Sequence, residues 1–572
     1  MKEAFKQNWL FLFLLLGMIC NCICQCFMFG GSFFSLWDEP YCLLKCRDAY
    51  NHIVTGKTQW DLIAINWFPY LNLTSKISSS WASFILILAT LLNATIAMCL
   101  ITRKKDIIKY VSVFLLLLLP VISGGYAAEI QNRIGWTTCI NYLVLQVFLL
   151  GSSFPIFLLY YYRQENSIKI VSLVITGFLV GLSVFVILPS GVLMLFMYIT
   201  HILLFNYKNK EMWRYILLFL VGITCSFIYI HLCIADIFVI IREMQFTASY
   251  VAKSGFGYTP LDFAKSLVQI LIDLALLAPL GIGIYSFASK IKKKTNKYLE
   301  LLVILIYVLV YSMFIWKKIA YLPTTSMFLI FLILFAFACH NEQTKTSVHQ
   351  ILQLLFLLVT PIICSIGTNT NMWGRIGCFM IPWGVLWLIV ELKSTEIKSK
   401  LALQITMILI LFIPISFNSA RMVYHNKKYA TEHFLKGSQG IAELDLTKEQ
   451  ANYFYKINDI IKQYNYMPNK SVIFASVRDY CTIYAFDAKL SSNFHLPCNF
   501  PFFIDKMICP DFIILSEADN YSETLKDMRW GWPDEFDVYY LDSPETICRK
   551  LIGGTTDART LYCRKSLKKS TH

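Results

Sequence analysis

The feature that most constrains the fold of this 572-residue chain is a succession of long apolar stretches before residue 419. An α-helix needs about 20 residues to cross a hydrocarbon core of about 30 Å, because each residue adds about 1.5 Å. About thirteen stretches approach or reach that length. Hydrophobic residues make up 57% of the chain and charged residues 15%, unlike a soluble domain. The sequence therefore predicts a polytopic α-helical membrane protein, whose spans run over residues 9–30, 81–101, 110–128, 139–162, 168–188, 190–206, 215–240, 264–289, 299–316, 322–339, 350–366, 374–391 and 401–418.

The fifth and sixth stretches are the least distinct of these spans. Only Pro189, Ser190 and Gly191 separate them. They are compatible with two crossings, with a re-entrant pair or with one helix broken at the proline.

Lysine and arginine residues give the orientation, because cytoplasmic loops retain positive charge. Basic runs at 103–105, 208–214 and 290–297 all fall on one side if the N-terminus is inside. An odd number of spans then puts the C-terminal segment outside. Before residue 419 there are 31 basic and 17 acidic residues, against 20 and 19 after it. The positive charge is thus a signal of membrane topology, and nucleic-acid binding is not indicated.

The first apolar stretch reads as a retained span, although Lys2 and Lys6 precede it as in a signal peptide. It is long enough to cross, and no small-x-small cleavage pattern follows it. Its cysteines occupy alternate positions, which spreads them around a helix and does not gather them as metal ligands. They are Cys20, Cys22, Cys24 and Cys26.

Residues 419–572 have the pattern of a small extracytoplasmic α/β domain, and residues 1–418 form the membrane domain. Alternating segments at 471–476 and 511–516 predict strands. A capping box, Thr447-x-x-Gln450, opens a helix that reaches Tyr464, and a second short helix begins at Ser543. No catalytic signature is present. The expected role of this domain is to cover the outer face of the membrane domain or to hold an acceptor.

Five of the eighteen cysteines lie in this predicted domain. An oxidising exterior would permit a pair such as Cys548 with Cys563. The odd number leaves at least one cysteine unpaired within the chain.

The chemistry is expected in the outer loops, starting with Trp37-Asp38-Glu39-Pro40-Tyr41 directly after the first span. Carboxylates can accept a proton or orient hydroxyl groups, arginines match phosphate oxygens, and flat rings pack on sugars. Later outer loops supply more groups of these kinds. They are Glu129, Arg133, Trp136, Arg242, Lys253 and Arg375.

An acidic pair and a tyrosine after span one, many further spans and a C-terminal α/β domain together resemble the GT-C superfamily of membrane glycosyltransferases. The chain is most similar to the bacterial branch related to the aminoarabinose transferases and protein O-mannosyltransferases. The tight part of the match is Asp38-Glu39-x-Tyr41, and the likeness covers the layout and about forty residues of loop one. Beyond that loop the sequence departs from the best-known members.

The resemblance implies transfer of a sugar from a polyprenyl phosphate to an extracytoplasmic acceptor, with inversion, in a bacterial inner membrane. Asp38 would be the base, and Glu39 would orient the acceptor or hold a divalent cation with Glu129. Tyr41 and Trp136 would line the sugar site. The leaving phosphate needs a cation, for which the candidates are Arg133, Arg242, Lys253 and Arg375.

Simpler interpretations stay open for these residues. A carboxylate at a span exit can be merely solvated, and outer arginines and lysines often anchor to lipid headgroups. Asp273, inside the eighth span, favours a different class, because a charge at such depth often marks an ion or proton path. A transporter or flippase is therefore the second hypothesis, with a structural Asp273 bonded to a Ser, Thr or Tyr as the alternative. A polysaccharide polymerase or ligase is a third, although its large outer segment would be expected between late spans.

Overall fold

The structure is a computed structural model that describes part of the chain in continuous segments. Leu16, Ile19, Leu44 and Leu525 are described only as isolated residues, as are positions 303, 306, 307 and 310. The described segments are residues 79–102, 142–207, 209–233, 236–238, 240–241, 260–291, 348–366, 431–434, 444–475, 479–491, 508–516, 530–541 and 558–569.

Long helices occupy seven of the predicted spans. Four helical segments of the described part are long and apolar enough to cross a membrane, namely Leu145–Tyr162 of α2 and the whole of α3, α4 and α5. The remaining predicted spans lie outside the described residues apart from isolated positions, so the count of about thirteen stays a prediction. The helices are α1 (Ser79–Thr102), α2 (Tyr142–Tyr162), α3 (Asn166–Val184), α4 (Leu188–Asn206), α5 (Met212–Cys233), α6 (Pro260–Ile291) and α7 (Val348–Ser365).

Hydroxyl groups inside these helices bond to their own backbone. Thr90, Thr176 and Thr360 each donate to the carbonyl four residues earlier, at 2.7–2.8 Å. Lipid offers no water to a polar group, so an internal partner is required. Large apolar side chains such as Val171 and Leu217 instead point outwards, 55% and 60% exposed. The outward faces therefore suit a lipid environment.

The boundary between α3 and α4 differs from the predicted one. The break lies at residues 185–187, and the two helices form separate segments that pack on each other. Pro189 stands in the first turn of α4, where its missing N–H costs nothing. A Cβ on Gly191 would lie 2.4 Å from Val184 Cα, so the glycine permits the close reversal. The proline thus starts the second helix and does not break a single one.

Helices α3 and α5 are in backbone contact. A Cβ on Gly177 would lie 2.1 Å from Phe219 O, and a Cβ on Gly222 would lie 2.1 Å from Val174 O. Small residues recur four positions later on each helix, at Gly181 and Ser226. Spacing of this kind allows two membrane helices to approach closely and gain dispersion contacts.

The C-terminal part contains a hairpin and a mixed sheet. Strands β1 (Thr431–Phe434) and β2 (Leu444–Thr447) pair antiparallel and pack against α8 (Lys448–Ile461). The five-stranded sheet has the order β4-β3-β5-β7-β6. Strands β4, β3 and β5 are parallel, whereas β7 is antiparallel to both β5 and β6. The other elements are β3 (Val472–Ala475), α9 (Tyr480–Ala485), β4 (Lys489–Leu490), β5 (Phe512–Ser516), β6 (Phe536–Leu541) and β7 (Arg559–Arg564), followed by a 3₁₀ turn at Lys565–Leu567.

The two strands predicted near residues 471 and 511 are confirmed as β3 and β5, and the helix after Thr447 is confirmed as α8. Apolar side chains of these elements are fully buried, including Phe454, Ile473 and Ile513. The predicted helix at Ser543 lies outside the described residues. The boundary at residue 419 and the side of the membrane also stay predictions.

The permitted Cys548–Cys563 disulfide is not formed, because Cys563 is a free, fully buried thiol on β7. Burial raises the pKa of this thiol above its ordinary value, as expected for a cysteine in apolar surroundings. Cys548 lies outside the described residues.

Candidate functional site

The residues predicted to form the site all lie outside the described residues, so their geometry is not part of the structure. They are Asp38, Glu39, Tyr41, Glu129, Arg133, Trp136, Arg242, Lys253 and Arg375. What the structure does describe is the helices to which these segments connect. The directions of those helices can be read from their contacts.

Helices α1 and α2 run in the same direction. Asn93 Nδ2 donates to Ser152 Oγ at 3.1 Å, and Arg163 Nη1 donates to Leu100 O at 3.1 Å near the other end. From the first contact to the second, the residue number increases on both helices, so both run towards the same end. One predicted span, at 110–128, lies between α1 and α2 in sequence. Two helices separated by a single crossing must run in the same direction, as these do.

Helices α2 and α4 are also parallel to each other, and polar bonds join them at three levels. Gln146 Nε2 donates to Ser190 Oγ at 3.0 Å, and the Tyr198 and Ser153 hydroxyls share a bond of 2.8 Å. Asn206 Nδ2 donates to the Tyr160 hydroxyl at the far end. Side-chain hydrogen bonds between membrane helices typically contribute about 0.6 kcal/mol each, so this ladder fixes register more than it adds stability.

Helix α3 runs the opposite way to α2, because residues 163–165 are the whole connection between them. Helix α5 is parallel to α3, since Gly177 faces Phe219 and Gly181 faces Ser226. One end of the bundle therefore collects the starts of α1, α2 and α4 and the ends of α3 and α5. We call this end the candidate face.

The segments that carry most of the predicted site residues adjoin the candidate face in sequence. Loop one, with Asp38, leads into the start of α1, and the segment with Glu129 and Arg133 leads into the start of α2. Arg242 follows the end of α5. The helix ends that these segments join in sequence therefore lie together at one end of the bundle, as the hypothesis of a shared site requires.

A surface pair stands at the candidate face, where α5 ends at Cys233 and not at the predicted residue 240. His231 Nδ1 lies 3.7 Å from Asp236 Oδ1, and both side chains are about half exposed. The Phe238 N–H donates to Asp236 Oδ1 at 2.9 Å. The Ile237 N–H donates to His231 Nδ1 at 3.4 Å, so both of these exposed side chains bond to nearby backbone.

Asp273 lies in the middle of α6 and is fully buried. Its Oδ1 accepts a hydrogen bond of 2.7 Å from Gln269 Nε2, one turn earlier. The structural alternative expects a Ser, Thr or Tyr partner, and the bond from Gln269 gives Asp273 an amide donor on its own helix. Because α6 begins at Pro260 and not at 264, Asp273 is about 20 Å from the start of the helix.

Two polar clusters stabilise the C-terminal part. In the first, Arg559 Nε contacts the Asp479 carboxylate at 2.9 Å, and both side chains are fully buried. The Tyr453 hydroxyl lies 3.5 Å from the same carboxylate, and burial raises the pKa of Tyr453. A closed ion pair with no exposed surface is a structural link between α9 and β7 and is not an open catalytic site.

The second cluster surrounds Asp537 on β6. Its Oδ2 accepts from the Tyr464 hydroxyl at 2.6 Å and from Lys568 Nζ at 2.9 Å. The hydrogen bond from Tyr464, and then the one from Lys568, lower the pKa of Asp537. Burial raises the pKa of Tyr464. The cluster ties the end of α8 to the sheet and to the C-terminal turn.

Among the described residues, no group of three or more His, Cys, Asp or Glu side chains could hold a metal ion. Glu39 and Glu129, the predicted cation ligands, lie outside that part of the chain.

No protein-family model and no curated protein matches this chain. The structure aligns with the apo oligosaccharyltransferase of Archaeoglobus fulgidus over 90% of this chain and 70% of that one, with 10% identity and a TM-score of 0.47. The same enzyme in complex with zinc and sulfate gives 12% identity and a TM-score of 0.40, over 89% and 64%. ArnT of Cupriavidus metallidurans bound to undecaprenyl phosphate gives 9% identity and a TM-score of 0.45, over 99% and 100%.

Proposed function

We propose that this chain is a GT-C membrane glycosyltransferase that moves a sugar from a polyprenyl phosphate to a hydroxyl group of an extracytoplasmic glycan, lipid or protein. The observation that carries the proposal is the candidate face. Contacts between α1 and α2 and between α3 and α5 put at one end of the bundle the helix ends to which the sequence joins the segments bearing Asp38, Glu129, Arg133 and Arg242.

In the proposed reaction Asp38 takes the proton from the acceptor hydroxyl. The hydroxyl oxygen attacks the anomeric carbon from the face opposite the lipid phosphate, so the configuration inverts. The bond from that carbon to the phosphate oxygen breaks as the new bond forms. A phosphate leaving group needs no proton, and one base is therefore enough.

The leaving phosphate develops charge and needs a cation in a site that excludes water. Arg133, Arg242, Lys253 and Arg375 are the proposed cations, because each belongs to a predicted outer loop. An arginine would match two phosphate oxygens at once. Excluding water also prevents hydrolysis of the donor.

Further residues would position the substrates. Tyr41 and Trp136 would pack on the sugar, and Glu39 would orient the acceptor. Glu39 and Glu129 are also the proposed ligands of a divalent cation, since carboxylate oxygens suit such ions. Loss of activity with a chelator and its recovery with added metal would test that part separately.

The test is transfer of radiolabelled sugars by the purified protein, starting with undecaprenyl phosphate donors and a panel of acceptors. Asp38→Asn should lower the rate by about 10²–10⁴-fold, the usual contribution of a general base. Asp61→Asn is the matched control, because it removes a charge from the same loop. Unchanged turnover in a folded Asp38→Asn protein would remove the base assignment.

A transporter or flippase is the second candidate, favoured by the fully buried carboxyl of Asp273. The bond to Gln269 gives this carboxyl a structural partner on its own helix. Asp273→Asn should therefore leave sugar transfer near the wild-type rate. Transport is the function if vesicles with the wild-type protein move substrate across the membrane without transferring sugar, and Asp273→Asn abolishes that movement.

The chain is proposed to lie in the bacterial inner membrane with residues 419–572 in the periplasm. Four described helical segments suit a membrane by length and composition. The side of the C-terminal part can be tested by adding a protease to spheroplasts, which should digest it without lysis.

A further inference from the structure

The end of the bundle opposite the candidate face, the far end, carries an excess of basic side chains. It collects the ends of α1, α2 and α4 and the starts of α3 and α5. Within the described parts of these five helices and their connections, the candidate face contains no lysine or arginine. The far end contains four basic and two acidic residues, namely Arg163, Lys169, Lys210, Arg214, Glu165 and Glu211.

Each of the two acidic side chains lies beside an arginine. Glu165 Oε2 is 2.6 Å from Arg163 Nη2, and Glu211 Oε1 is 3.4 Å from Arg214 Nη1. Four basic minus two acidic residues leaves a net charge of +2 on the described part of the far end. Lys210 and Arg214 are exposed, so part of this charge stands at the protein surface. Such a surface attracts anions.

The turn between α4 and α5, which bears Lys210, is held by its own hydrogen bonds. Asn209 Oδ1 accepts from the Glu211 N–H at 2.9 Å. The Tyr215 hydroxyl donates to Glu211 Oε2 at 2.9 Å, and the Tyr215 ring packs on Tyr160 of α2 with centroids 5.2 Å apart. A preformed turn gives up little freedom when it binds a partner, which favours affinity.

Trp213 connects the basic turn to an apolar stripe on α5. It lies in the first turn of that helix and is 66% exposed. Leu217 and Val221 follow at intervals of four residues on the same side of the helix, and they are 60% and 49% exposed. Tryptophan is enriched where membrane proteins pass from hydrocarbon to headgroups. Acyl chains would therefore lie along the stripe, with the phosphate of the same lipid beside the basic turn.

Helix α3 adds a basic residue at the same depth. Its backbone meets that of α5 at Gly177 and Gly222. Lys169 lies eight residues before Gly177, and Trp213 lies nine residues before Gly222. Because the helices are parallel, both residues stand about 12–14 Å beyond the glycine contact, towards the far end. We call the set of Lys169, Lys210, Trp213 and Arg214 the far-end patch.

We propose that the far-end patch is a docking surface for an anionic phospholipid, whose phosphate binds the basic side chains and whose acyl chains cover the α5 stripe. By the predicted topology this end meets the cytoplasmic leaflet, where anionic lipids attract basic residues beside membrane helices. The charges of patch and headgroup are complementary, and the exposed stripe supplies the apolar part of the contact. The patch stands at the opposite end from the proposed transfer site and does not rest on that activity.

The test titrates the full chain in a neutral detergent with phosphatidylglycerol or with phosphatidylcholine and follows the thermal unfolding midpoint. A lipid that binds the folded state raises the midpoint, and the concentration at half the rise gives an apparent affinity. Phosphatidylglycerol should act at a concentration about 10-fold lower than phosphatidylcholine. Each lysine or arginine beside an anionic membrane contributes a factor of about 5. Lys210→Gln with Arg214→Gln should therefore weaken phosphatidylglycerol binding by about 25-fold.

The matched control is Lys462→Gln with Lys470→Gln, which removes the same charge from exposed positions of the C-terminal part. It should leave the affinity for phosphatidylglycerol unchanged. Without lipid, the patch variant should unfold within about 2 °C of the wild type, because exposed ion pairs contribute little stability. If the double variant is unstable, Lys210→Gln alone should still weaken binding by about 5-fold.

Three results would overturn the proposal. Equal affinities for the two lipids would mean that the headgroup charge is not recognised. An unchanged affinity in the folded patch variants would place the lipid elsewhere on the protein. The same rise in midpoint with sodium phosphate at matched concentration would assign the basic side chains to a free anion and not to a lipid.

Discussion

Adding one methyl group at Gly222 of α5 should push α3 and α5 apart. In Gly222→Ala the new Cβ would lie 2.1 Å from Val174 O, 2.8 Å from Phe178 N and 3.0 Å from Gly177 Cα. All three are backbone atoms, so no side-chain rotation can make room. The helices must move apart, and contacts along the whole crossing weaken with them.

The sign of the effect distinguishes packing from helix propensity. Alanine is favoured over glycine inside a helix by about 1 kcal/mol. Against this, non-bonded atoms prefer separations of about 3.5 Å, so relief takes a shift of roughly 1 Å. Overpacking of this kind costs about 1–3 kcal/mol even after neighbours adjust. Adding the lost contacts between α3 and α5, we expect a net destabilisation of about 1–2 kcal/mol.

Thermal unfolding of the full chain in nanodiscs would measure the effect. The matched control is Val221→Ala, one residue away and 49% exposed on the outward face. It should change the free energy of unfolding by less than about 0.5 kcal/mol. If Gly222→Ala is as stable as the wild type or more stable, the two backbones are not in contact and the inferred parallel direction of α3 and α5 loses its main support.

Two further predictions concern the C-terminal part. Arg559→Met should destabilise the C-terminal part by about 3–5 kcal/mol, because it leaves the Asp479 carboxylate buried without its ion-pair partner. Adding Asp479→Leu should restore much of that stability, as measured by resistance to limited proteolysis. A double variant as unstable as Arg559→Met would contradict this prediction. Because Tyr464 and Lys568 lower the folded-state pKa of Asp537, its contribution is present above the unfolded value of about 3.9 and is lost as pH falls through the lower folded value. Tyr464→Phe should therefore reduce the drop in unfolding midpoint between neutral pH and about pH 3, and an unchanged acid profile would refute the link.

The helices were predictable because span length is set by a simple physical limit. The predicted span 350–366 and the observed α7 at Val348–Ser365 differ by two residues at most, since hydrophobic length alone defines such a segment. The α3–α4 boundary was misplaced because Pro189 reads equally well as a breaker or as a first-turn residue. Only the backbone geometry of residues 185–187 distinguishes these readings.

Other features left no readable signal in the sequence. The pairing of Arg559 with Asp479 joins residues 80 positions apart, and no local pattern encodes it. The bond from Gln269 to Asp273 was in principle visible as an i, i+4 pair. The site residues are a different case, because they lie outside the described part of the chain and their placement stays a prediction.

The helix directions also bear on the choice between enzyme and transporter. A transporter is expected to hold its substrate near the midplane, between related halves of the protein. In the described helices the midplane levels are filled: Phe154, Phe157 and Tyr198 are at most 1% exposed, and Gly177 and Gly222 bring α3 and α5 into contact. Polar groups at these levels are bonded to each other, as Ser153 is to Tyr198. Chemistry at one end of such a bundle is compatible with this packing, because the substrate need not pass between α2, α3, α4 and α5.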